Sequence, residues 1–154
     1  MNAVAATNEN LFAATLKAVM VYDDFNFAAH AAAMLEWVAG QADQDLKWDV
    51  KPWRLDLLRQ LSLTELAETE AVDADLVVLA LTETQSPSDD LLNWLEHWAA
   101  RREIEDAAVM LLYPVRDAVP APLADRLQQF AGTRGLTFMG GHEVWPDKSQ
   151  FVRE

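Results

Sequence analysis

Short apolar runs separated by stretches of helical periodicity set the rhythm of this chain. Lys17 to Tyr22 (KAVMVY), Asp75 to Leu81 (DLVVLAL), Ala107 to Tyr113 (AAVMLLY) and Leu136 to Met139 (LTFM) are brief and rich in branched residues. Runs of this length and composition read as strands buried in a sheet. Between the first two, Phe27, Ala31, Met34, Leu35 and Val38 recur at helical spacing. They predict a helix from about Phe25 to Gln41, with Gly40 as its stop. Ser88 reads as the cap of a helix carrying Leu91, Leu92, Leu95, Trp98 and Ala99. Pro122 opens another, with Leu123, Leu127, Phe130 and Ala131 as its apolar face and Gly135 as its end. Ser62 with Glu65 makes a capping-box pattern that starts a short helix to about Val72. Lys47 to Trp53 (KWDVKPW) alternates apolar and polar positions, and Pro52 assigns it to a sheet edge, because proline cannot donate to a central ladder.

Strands alternating with helices imply a parallel sheet covered on both faces. Right-handed crossovers then leave few topologies. The expected fold is a three-layer α/β/α sandwich with a five-stranded parallel sheet in the flavodoxin-like order 2-1-3-4-5. Nothing in the chain calls for a second domain. Residues 1–154 read as a single α/β domain, with an amino-terminal extension over 1–16 and a short tail over 140–154. The tail contains Gly140, Gly141 and Pro146, so a fifth helix is expected to be short or absent. The sheet face beside strands one and five then needs another cover. Leu11, Phe12 and Leu16 are candidates for it, and so is a second subunit.

Composition narrows the function. The chain has 154 residues, 51% of them hydrophobic, enough for a core of ordinary size. Its 25 acids against 12 bases give a formal net charge of -13. Such a surface repels nucleic-acid backbones and anionic lipid headgroups. The nearest basic cluster, Arg101-Arg102, is followed by Glu103, Glu105 and Asp106. No nucleic-acid or membrane partner is expected. Cysteine is absent, which rules out disulfides and thiolate metal sites. Residues Met1 to Asn10 lack a basic start and an apolar run, and no apolar stretch approaches the ~20 residues of a membrane-spanning helix. The cytoplasm is the expected location.

Open parallel sheets bind ligands at the carboxyl ends of their strands. That rule gathers Asp23 and Asp24 after strand one, and Thr82 and Glu83 after strand three. It adds Arg116 and Asp117 after strand four, with His142 and Glu143 after strand five. Adjacent carboxylates near a third suit a hard cation such as Mg²⁺, so Asp23, Asp24 and Glu83 are the metal-ligand candidates. The bland alternative is that an aspartate between strand and helix simply caps the helix. The loop Tyr22-Asp23-Asp24-Phe25-Asn26 would repel a phosphate. The glycine fingerprints of dinucleotide and nucleotide sites are missing, as is the nucleophile elbow of hydrolases.

The stretch Val19-Met20-Val21-Tyr22-Asp23-Asp24-Phe25 resembles the first strand and acid pair of response-regulator receiver domains. Asp75 to Ala80 (DLVVLA) is similar to the receiver strand that ends in the phosphoacceptor aspartate. The likeness in element order runs over roughly Lys17 to Met139. It implies an Mg²⁺-binding acid pair, a phosphoacceptor, and a hydroxyl residue and a lysine on strands four and five. Carried over position by position, only the acid pair is retained. The acceptor position is Ala80, strand four ends in Leu112-Tyr113-Pro114, and strand five offers Gly140, Gly141 and His142 in place of lysine. The resemblance therefore implies a degenerate receiver that does not accept phosphate.

Six tryptophans remain to be placed. Most suit core and edge packing, but tryptophan is also enriched at binding hot spots. Trp48 and Trp53 flank the edge strand, Trp94 widens the stripe of its helix, and Trp145 lies in the tail, so these four are the interface candidates. Two readings follow. One is a non-catalytic, self-associating protein-interaction domain of pseudo-receiver type with no cofactor. The other is a small metal-dependent or small-molecule-binding enzyme using the strand-end cluster, with His142 as its acid or base.

Overall fold

The structure, a computed structural model, describes residues 15–42, 47–82, 89–114 and 120–140. Five parallel strands form one sheet: β1 (Thr15–Tyr22), β2 (Lys47–Arg54), β3 (Leu76–Ala80), β4 (Ala108–Leu112) and β5 (Thr137–Met139). Their order is β2-β1-β3-β4-β5, as the alternating pattern predicts. Among the described residues four α-helices accompany them: α1 (Phe25–Ala42), α2 (Leu61–Ala71), α3 (Asp89–Arg101) and α4 (Ala121–Arg134). This is a flavodoxin-like α/β sandwich.

Period-two alternation divides the core. On one face Val19, Val21, Val77, Leu79, Val109 and Leu111 meet α2, α3 and α4. On the other, Ala18, Met20, Val78, Ala80, Met110 and Leu112 belong to the cluster formed with α1. β3 is buried on both sides along its whole length, which is why its sequence is a continuous apolar run. β2 pairs only with β1 and places Pro52 on the sheet edge, as expected. Among the described residues α1 is the only helix on its face. The tail, where a fifth helix is expected to be short or absent, lies outside the described residues apart from Gly140, as do Leu11 and Phe12, while Leu16 belongs to β1 and not to an extension.

Local signals read correctly at some ends and not at others. Gly135 closes α4 with φ 74°, a left-handed conformation that glycine adopts without strain, and Pro122 lies in the first turn. The capping box at Ser62 is not formed. A 3-10 turn over Leu55–Arg59, unannounced by the apolar pattern, leads directly into α2, so Gln60 is the N-cap and Ser62 is already helical. Thr64 bonds back to the carbonyls of Leu58 and Gln60 instead (2.5 and 3.0 Å). On α1 the buried stripe ends on Ala39, four residues after Leu35, and Val38 is 41% exposed. Gly40 does not stop the helix, which continues to Ala42.

Charged groups tie the elements at the amino-terminal side of the sheet. The Lys17 amide donates to the Asp75 carboxylate (2.9 Å), and the Asp75 amide donates to the Lys17 carbonyl (2.8 Å). The Lys17 ammonium, bonded to Asp73 at 2.6 Å, holds that carboxyl below its ordinary range. Arg102 joins two helix ends, donating to the carbonyls of Ala99 (2.7 Å) and Arg134 (2.8 Å). A cation there also complements the negative poles of α3 and α4.

Candidate functional site

The carboxyl ends of β1, β2 and β3 form the part of the rim where the candidate chemistry meets the fold. β1 ends at Tyr22, and the two aspartates that follow take different structural roles. Asp24 is the cap of α1: its side-chain Oδ1 accepts from the Phe27 amide (3.0 Å), and its carbonyl accepts from the Ala28 amide (3.0 Å). Asp23 turns the other way, toward β3. Both of its carboxylate oxygens lie 3.0 Å from the Thr82 amide nitrogen, and Oδ1 also accepts from the Thr82 hydroxyl at 3.0 Å. Residues far apart in sequence are thus joined because the topology places β1 beside β3. Charge-assisted bonds of this kind are short and stronger than neutral ones.

Beside this tie, Arg54 ends β2 and grips Asp56 in a forked ion pair, Nε to Oδ1 at 2.8 Å and Nη2 to Oδ2 at 3.1 Å. That hydrogen bonding, reinforced by the Asp56 charge, raises the guanidinium pKa above its already high ordinary value. Asp23, Arg54, Leu55 and Asp56 line a shallow hollow of about 220 Å³. On either side of the acid pair in sequence, the rings of Tyr22 and Phe25 meet edge to face, with centroids 6.4 Å apart. Phe25 is 72% exposed. A larger hollow of about 420 Å³ lies elsewhere, between α3 and α4, with Leu92 and Phe130 among its walls and the Glu96–Arg134 ion pair across it. It holds none of the strand-end candidates.

Of the residues singled out from the sequence, the fold brings Asp23 and Thr82 together and leaves Asp24 next to them but directed into α1. Glu83, Arg116, Asp117, His142, Glu143 and Trp145 lie outside the described residues. Among the described residues no three His, Asp or Glu side chains form a group able to hold a metal ion. Ala80, at the end of β3, is fully buried on the α1 face.

The tryptophans fall mostly on the packing side. Trp94, proposed from the width of its stripe as an interface residue, is 1% exposed and belongs to the core. The wide stripe is needed because α3 packs between α2 and α4 and against the sheet. Trp48 is half-buried beside the α1 cluster, and Trp53 is half-buried on the opposite face with its indole N–H donating to Glu70 (2.5 Å). Phe25 and Arg54 were missed by sequence reasoning. The signal for Phe25 was its position one residue after the cap and off the buried stripe that starts at Phe27.

What this rim does chemically is limited by its bonding. The cap of α1 uses Oδ1 of Asp24, and both oxygens of Asp23 face Thr82. No family model matches the chain, and a comparison with curated proteins finds no match either.

Proposed function

We propose that this chain is a non-catalytic protein-interaction domain of pseudo-receiver type that associates with itself. The observation that carries the reading is the bonding of the acid pair: Asp24 caps α1, and Asp23 closes on Thr82. In a phosphoaccepting receiver that pair is expected to hold a cation beside an acceptor carboxylate. Here the acceptor position is an alanine with no side-chain oxygen, and the pair works as a structural tie. The described surface offers apolar side chains instead, Phe25 and Val38 on α1 and Leu66 on α2. Phe25 is the aromatic one among them, and aromatic residues are enriched at protein interfaces.

Size-exclusion chromatography with light scattering, run over a series of concentrations, tests the reading. The expected result is a weight-average mass that climbs from monomer toward dimer as concentration rises. A mass fixed at the monomer value up to millimolar protein contradicts it.

A further inference from the structure

α1 is unlike the other described helices in having almost no charge. Across its 18 residues it carries one acid, Glu36, and no lysine or arginine. The chain as a whole has a net charge of -13, so two copies meeting at most faces would set carboxylates against carboxylates. The outward face of α1 is the exception. Asn26, Ala29, His30, Ala33, Glu36 and Gly40 are exposed there, and Trp37 is half-buried. All lie three, four or seven residues from Ala33, which places them on one stripe centred on that residue.

That stripe is complementary to itself when reversed. About a two-fold axis at Ala33, an antiparallel copy sets each residue opposite the one equally far on the other side. His30 then faces Glu36 of the second copy, and Ala29 faces its Trp37. Asn26 faces Gly40, where an added Cβ would meet nothing within 4 Å. The two ionisable groups of the helix thus meet each other on both sides of the axis. The large indole meets a small side chain, and Ala33 at the axis permits close helix approach. An isologous contact needs this property, since the same patch must serve both copies. We infer that the outward face of α1 is the self-association surface, occupied by α1 of a second copy in antiparallel orientation. This rests on the self-associating reading above and names a surface that does not include Phe25, Val38 or Leu66.

A helix of this length spans about 27 Å at 1.5 Å per residue. One such helix pair buries less than the ~800 Å² per partner of a stable complex. The dimer is accordingly weak, with a dissociation constant of roughly 10 to 1,000 μM. Sedimentation equilibrium over that range tests the surface. Ala33→Glu places two carboxylates together at the axis and is expected to weaken the dimer by about tenfold or more. Its site is exposed, and a thermal melt checks that the fold is retained. His30→Glu is expected to weaken association as well, and His30→Glu with Glu36→Lys to restore it to near the wild-type constant. The charge swap keeps the test open if Ala33→Glu fails to fold. A dimer indifferent to Ala33→Glu and to His30→Glu overturns this surface and leaves self-association standing. A monomer at every concentration overturns both.

Discussion

Asp23 and Asp24 are adjacent in sequence, yet their side chains serve different elements, and their substitution should separate the two roles. Asp24→Ala removes the cap of α1 and is expected to cost about 1 kcal/mol. Asp24→Ser should recover most of that, because a hydroxyl also accepts from first-turn amides. Asp23→Ala strands the Thr82 amide and hydroxyl, which are half-buried, so a loss of about 1.5–3 kcal/mol is expected. Urea denaturation of the three variants measures these differences. Equal, negligible losses for Asp23→Ala and Asp24→Ala would mean that neither bond matters. The location of the pair was legible in the sequence, since a strand-end aspartate before a helix is a common cap. The bond to Thr82 was not legible, because it depends on which strand becomes the neighbour of β1.

At the scale of elements, strands and helices whose apolar period is strong were readable, and their ends were readable where backbone chemistry is specific. Gly135 and Pro122 mark α4 through conformations those residues prefer. Ser62 misled because a 3-10 turn before it shifted the true start of α2 to Gln60, and a four-residue motif carries no information about the turn that precedes it. Trp94 misled because a wide apolar stripe fits either an interface or a helix packed between two others. One tie between elements was invisible in one dimension. Arg102 follows α3 but also reaches the last turn of α4, at Arg134. Arg102→Met keeps much of the aliphatic stem while removing the contacts to the carbonyls of Ala99, Glu105 and Arg134, and is expected to lower stability by about 1–3 kcal/mol. Thermal unfolding reads this, and hydrogen exchange should show the carboxyl-terminal turns of α3 and α4 opening together. Faster exchange confined to α3 would contradict the shared role.

For the whole molecule, acidity and a bonded rim point the same way. The strand ends that serve catalysis in many parallel-sheet proteins are here closed between β1 and β3 by the bonds of Asp23. Among the described helices, α1 is the one with a nearly charge-free outward face. Its low charge was legible in the sequence, but which of its residues face outward depended on where the buried stripe ended. The described residues contain no helix long and apolar enough to cross a membrane. In the proposed function the acid pair builds the fold and does not serve as a cation site. Calorimetric titration of the wild-type chain and of Asp23→Asn with Mg²⁺ and with Mn²⁺ tests it most directly. No saturable heat is expected from either protein at low millimolar metal. Saturable binding to the wild type that Asp23→Asn abolishes would contradict it.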